Sequence, residues 1–171
     1  VIRQLIPSDC CRSLLDIGCG SGFLIHKIGF LFSECAGIDM SIESIRLARK
    51  YTHAALAVAD AEQMPFGDAC FDCIVSTDTF EHIPDDRTAL QEAKRLLRKD
   101  GVLIIYLPSR EGLLSSTRFV DLYHTSKTSY LMDYRYYTLE TVTDLMEGAG
   151  LEVDYIGYHN VFAQELFTQL L

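Results

Sequence analysis

Short, mostly apolar runs alternate along this chain with stretches whose apolar residues recur every three or four positions. That alternation predicts strands and helices in turn. Residues 13–17 form an apolar run ending in glycines and predict a first strand, and 22–32 place Phe23, Leu24, Ile28 and Phe32 at helical spacing. A second strand is expected over 35–38. Ser41 is then the predicted cap of a helix reaching Tyr51, with Ile42, Ile45 and Ala48 on one face. Strands follow at 55–59 and 71–76, then an amphipathic helix over 87–97 with Ala89, Leu90, Ala93, Leu96 and Leu97 on one stripe. Lys99-Asp100-Gly101 turns the chain into its most hydrophobic strand, 102–107. The pattern lapses over 108–137, which is polar and tyrosine-rich and reads as an insertion over the carboxyl edge of the sheet. Thr138 caps a helix with Leu139, Val142, Leu145, Met146 and Ala149 inward and Gly150 as its stop, and 151–158 predict a last strand.

Strands apolar on both faces and separated by helices imply an α/β fold: a doubly wound, mostly parallel sheet with helices on both sides. The chain's 171 residues, 49% apolar and 23% charged, are expected to form one domain, 1–171, with 108–137 on the substrate side. Fifteen basic against 24 acidic residues give a net charge of −9, which disfavours binding to nucleic-acid backbones. No apolar run approaches the ~18 residues of a membrane span. The six cysteines sit in apolar runs and in a glycine loop (Cys19, Cys35, Cys70, Cys73), as expected of reduced thiols in a cytoplasmic protein. Cys70-x-x-Cys73 lacks the second pair a zinc site would need. The chain opens on Val1, so its natural start is expected upstream. Oligomeric state is left open.

Chemistry concentrates at strand ends. Leu14-Leu15-Asp16-Ile17-Gly18-Cys19-Gly20-Ser21-Gly22 lies where the first strand meets the first helix, and its glycines permit close approach of a ligand to the backbone. Asp39 ends the second strand, where a carboxylate can accept both hydroxyls of a ribose. Asp60 ends the third, ahead of Ala61-Glu62-Gln63-Met64-Pro65-Phe66, and the fourth ends in Ser76-Thr77-Asp78-Thr79-Phe80-Glu81-His82. In an open parallel sheet all four ends face one crevice.

On these residues the chain resembles the class I S-adenosylmethionine-dependent methyltransferases, most closely the small-molecule and quinone-biosynthesis group, over roughly residues 5–158. The resemblance implies S-adenosylmethionine as methyl donor, S-adenosylhomocysteine as product and a small-molecule acceptor. It further implies that Gly18, Gly20 and the nearby backbone, with Asp16, Cys19 and Gly22, hold the methionine part. Asp39 would take the ribose hydroxyls, Met40 would pack on the adenine, Asp60 and the Ala61 N–H would read the adenine edge, and Thr77 would line the sulfonium side. Family members close their sheet with a seventh, antiparallel strand. None is evident after Tyr158, where 161–171 is apolar.

Methyl transfer asks chiefly for alignment, and a base only where the acceptor must lose a proton. His82 and His124 are the candidates. Asp78-Thr79-Phe80-Glu81-His82 is similar to a metal-binding pattern of some relatives. No metal is favoured, and Asp78, Glu81 and His82 are the ligand set if one is used. Two alternatives stand beside this reading. An NAD(P)-dependent oxidoreductase would use the glycine loop, Asp39, and a Tyr123/Lys127 pair at Y-x-x-x-K spacing, although Phe23 stands where a dinucleotide fingerprint wants Gly or Ala. A non-catalytic S-adenosylmethionine-binding subunit or sensor would keep the fold without turnover. The favoured expectation is methyl transfer to a small molecule, to oxygen ahead of carbon or nitrogen. The acceptor would lie under 108–137, whose tyrosines, with Phe80 and Phe119, suggest a flat or partly apolar molecule.

Overall fold

β1 (Ser13–Ile17) is buried along its whole length, which explains why no polar alternation marks it. The computed structural model describes residues 2–6, 12–107 and 135–157. The chain divides into two units, 1–107 and 108–171.

In the first unit α1 (Ile2–Leu5) precedes β1. There follow α2 (Phe23–Ile28), a 3-10 turn at Gly29–Leu31, β2 (Glu34–Asp39), α3 (Ile42–Ala48) and β3 (Ala55–Val58). Next come β4 (Phe71–Thr77), a 3-10 turn at Phe80–His82, α4 (Asp86–Leu96) and β5 (Leu97–Tyr106). The sheet has the order β3-β2-β1-β4-β5, and every pairing is parallel. The chain winds outward from β1 to β3, then crosses back to β4 on the other side. That reversal opens a crevice at the carboxyl ends of β1 and β4. Asp16 lies there, opposite Gly37 on β2 and Val75 on β4.

One core cluster gathers Leu14, Ile28, Phe32, Cys73, Val75 and Ile104, and another Cys19, Ile25 and Ile45. The stripe predicted on α4 is the buried one: Ala89, Leu90, Ala93 and Leu96 are inaccessible. Asp85 caps that helix by accepting from Thr88 N at 3.0 Å, and Ser41 caps α3 by accepting from Ser44 N at 3.1 Å. The helix expected over 22–32 is shorter, because its last turn tightens into the 3-10 segment. β5 begins earlier than expected. Leu97 already pairs with Phe71, the register then jumps to Cys73 opposite Val102, and Asp100 takes φ 62° within the irregularity.

In the second unit α5 (Leu139–Gly148) is closed at its start by a reciprocal cap. Thr141 N donates to Thr138 Oγ1 at 3.2 Å, and Thr138 N to Thr141 Oγ1 at 2.8 Å. Leu145 is buried, but Leu139, expected inward, is exposed on the first helical position. The strand expected over 151–158 is absent from its described part: 151–157 pair with no other strand among the described residues, and apolar alternation without a ladder does not make a strand. The 161–171 tail lies outside the described residues. Among those described, no helix is long and apolar enough to cross a membrane.

Candidate functional site

The loop after β1 takes its shape from three glycines in the left-handed region: Gly18 (φ 74°), Gly20 (φ 50°) and Gly22 (φ 77°). A Cβ on Gly18 would collide with the Thr79 side chain, whereas a Cβ on Gly20 would meet nothing within 4 Å. The loop is therefore packed at its root and open at its tip. Gly18 N and Cys19 N both donate to Ile38 O at 2.9 Å, tying the loop to β2. Gly37 allows this approach, since a Cβ there would lie 3.0 Å from Cys19 Cβ and 2.9 Å from Ile25 Cδ1. α2 has only six residues, so the loop backbone rather than a long helix carries the site.

Asp16 is 1% exposed, and neither carboxylate oxygen has a hydrogen-bond partner among the described residues. Burial pushes its carboxyl up to about 7, and the neighbouring charge of Asp39 adds to the rise. The same surroundings, burial first and then Asp16 and Asp39, raise the Cys19 thiol to about 12, so it stays protonated. Asp39 is engaged but not saturated. Its Oδ2 accepts from Gly20 N at 2.9 Å and its Oδ1 from Ser41 N at 2.8 Å, and a carboxylate has about four acceptor positions. Met40 beside it is 72% exposed.

Ala59 N donates to Asp39 O at 3.2 Å, which seats the start of the next loop against the same crevice edge. Asp60 Oδ1 accepts from Glu62 N at 2.9 Å, and Ala61 is buried. Across the crevice Thr77 is half-buried, and its carbonyl accepts from Thr79 Oγ1 at 3.0 Å. Asp78 turns the chain with φ 49°, a conformation costly for a residue with a side chain. Glu81 is as buried as Asp16 and equally without partners. Burial raises it to about 7, against its own backbone N–H and with Asp78's charge assisting. His82 faces solvent. Among the described residues no three acids, histidines or cysteines converge to hold a metal, and Asp78, Glu81 and His82 form no such group. His124, Tyr123, Lys127 and Phe119 lie outside the described residues.

The residues present suit a cationic nucleoside. A buried carboxylate without partners lies at the root of an open glycine loop, a second at the next strand end keeps free acceptor positions, and a third edges the neighbouring loop. Sequence reasoning missed Glu92 and Arg95 of α4, which grip that neighbouring loop through contacts 28–31 residues apart. Their i,i+3 spacing on the polar face of a helix was the available signal.

The family described as "Methyltransferase domain" matches residues 15–105, just over half of the chain. A ubiquinone biosynthesis O-methyltransferase of Actinobacillus pleuropneumoniae serotype 7 is 34% identical over 102 residues, covering 54% of this chain and 44% of the relative. The chain thus spans less than half of that relative's length. A solved structure from Thermotoga maritima, described as an S-adenosylmethionine-dependent methyltransferase and possible histamine N-methyltransferase, superposes with TM-score 0.72 at 27% identity. It covers 89% of this chain and 68% of its own. Phosphoethanolamine N-methyltransferase 2 of Haemonchus contortus, solved with S-adenosyl-L-methionine, shares the fold with TM-score 0.74 at 22% identity, over 99% of this chain and 39% of its own. Sheet order, glycine loop and family match agree, and the chain belongs to the class I S-adenosylmethionine-dependent methyltransferases.

Proposed function

We propose that this chain carries the catalytic core of an S-adenosylmethionine-dependent methyltransferase whose acceptor is a small molecule, methylated on oxygen ahead of carbon or nitrogen. The observation that carries the proposal is Asp16, a fully buried carboxylate without a hydrogen-bond partner at the root of an open glycine loop. A buried orphan of this kind costs stability and persists where a ligand satisfies it. The oxygen preference is supported by the name of the ubiquinone biosynthesis relative.

In this reading the glycine loop's backbone and Asp16 hold the methionine end, Asp39 the ribose hydroxyls, Met40 one face of the adenine, and Asp60 with Ala61 N–H its edge. Thr77 flanks the sulfonium. The bound donor supplies an already activated methyl group. The protein's part is to align the acceptor and exclude water, effects that together account for about 7–11 kcal/mol in favourable cases. His82, exposed just after the end of β4, is the base proposed for a hydroxyl acceptor.

Thermal unfolding in the presence of S-adenosylhomocysteine, S-adenosylmethionine, NADH and NADPH tests the assignment. A ligand at ~100 times its Kd stabilises by about 2.7 kcal/mol, roughly 5–10 °C for a chain of this size. A rise with the sulfur nucleosides alone is expected. A rise with the nicotinamides alone would replace the proposal with the oxidoreductase reading.

A further inference from the structure

We propose that Arg95 and Glu92 of α4 are positioning residues for base selection: together they splint the 60–68 loop from behind, so that Asp60 and the Ala61 N–H discriminate adenine from other purines. This rests on the reading of Asp60 and Ala61 given above.

The loop has little to hold it in place. It leaves β3, at the edge of the described sheet, and contains neither helix nor ladder; its internal bonds are the isolated Asp60–Gln63 bridge, Gln63 N to Asp60 O, Phe66 N to Met64 O and Glu62 N to Asp60 Oδ1. Ala61 and Met64 are buried, Phe66 packs edge-on against Phe71 at 5.1 Å, and Gly67 O accepts from Cys70 Sγ at 3.0 Å. The polar anchorage of the loop's backbone from outside comes chiefly from α4 and the residue that caps it. At the start of the helix, Asp85 N donates to Glu62 Oε1 at 3.0 Å. At its last turn, Met64 N donates to Glu92 Oε2 at 3.0 Å, and Arg95 Nη2 donates to Met64 O at 3.3 Å. Arg95 Nη1 reaches Phe66 O at 2.9 Å and Asp68 Oδ1 at 2.7 Å. Arg95 is itself fixed by a two-point pair with Glu92, Nε to Oε1 at 2.7 Å and Nη2 to Oε2 at 2.8 Å. The guanidinium's planar fork thus serves two carbonyls and two carboxylates at once, which an ammonium cannot reproduce.

Magnitude favours a positioning role over a stabilising one. Asp68 is 78% exposed, and ion pairs of that kind add little to stability. Asp60 sits two residues from Glu62 and four from Met64, so displacing either anchor moves the group proposed to read the base.

The test compares affinities of the full chain for S-adenosylhomocysteine and S-inosylhomocysteine, which differ at the purine 6-position, by calorimetry. The unmodified protein is expected to prefer the adenine ligand about tenfold or more, since a site built around a donor penalises its replacement by an acceptor. Asp60→Asn should collapse that preference. Arg95→Lys and, independently, Glu92→Gln should lower it severalfold by weakening the adenine ligand alone, with thermal unfolding confirming a folded protein. A merely structural role would weaken both ligands equally. If Asp60→Asn collapses the ratio while both α4 variants leave it unchanged, the splint is overturned and the base reading stands. If the unmodified protein shows no preference, the base reading falls and takes the splint with it.

Discussion

Asp16 and Asp72 lie on adjacent strands of one sheet, at opposite ends, and were treated oppositely by the fold. Asp72, at the amino end of β4, accepts from Arg12 N at 3.0 Å, Ser13 N at 2.9 Å, Ser13 Oγ at 2.8 Å and Arg98 Nη1 at 2.9 Å. Burial pushes its carboxyl up, but the bonds from Ser13, Arg98 and Arg12 outweigh it and hold the group below its usual range. Asp16, at the carboxyl end of β1, receives no hydrogen bond from the described residues and rises to about 7. The amino end of the sheet is therefore chemically finished. The carboxyl end carries its unsatisfied acids and its left-handed turns together, the combination expected where local rules yield to ligand binding.

The sharpest way to break this comparison is pH. Folded Asp16 keeps its proton to about pH 7, whereas the unfolded chain releases it near the ordinary aspartate value of 3.8, so this group makes the ligand-free protein less stable as pH rises across that interval. Asp16→Asn should flatten that slope and add about 2–4 kcal/mol at pH 8. Urea unfolding at pH 5 and pH 8 measures it, and an unchanged slope would remove the contrast. Asp72 runs the other way: its contribution is present above the ordinary carboxylate range and is lost as pH falls through its lowered pKa. Asp72→Ala should cost about 2–3 kcal/mol by stranding its donors, with the affinity of the folded protein for S-adenosylhomocysteine unchanged. A smaller effect is expected of Asp39→Ala, about 1–2 kcal/mol of cofactor affinity, and a titration that shows none would take Asp39 out of the site. Smallest is Ser41→Ala, about 1 kcal/mol of stability through the lost α3 cap, read by thermal unfolding.

Sequence was most informative where a short-range rule acts alone. β1 was recoverable from five buried residues in a row, Ser41 from its cap position, and the crevice from acids and glycines falling at successive strand ends. It was least informative where distant partners decide. Phe71 pairing with Leu97 pulls β5 back past a turn signal that the sequence places correctly but cannot rank. The opposite burial of Glu81 and His82, adjacent residues of one 3-10 turn, follows from packing rather than pattern. The α4 grip on Met64 and Phe66 is invisible locally for the same reason.

The pairing of β1 with β4 bears on how the site comes into being. Leu14 meets Cys73 and Ile17 meets Ser76 only after the chain closes a loop of some 59 residues. Closing it costs about 3–4 kcal/mol of chain entropy before any contact rewards it. β1, β2 and β3 can zip sequentially, but the wall carrying Thr77 and Thr79 arrives with the slow, non-local step. The crevice is therefore expected to appear last on the folding path and to open first under stress. A ligand bridging both walls would act on the unfolding rate more than on the folding rate, lengthening the life of the native state.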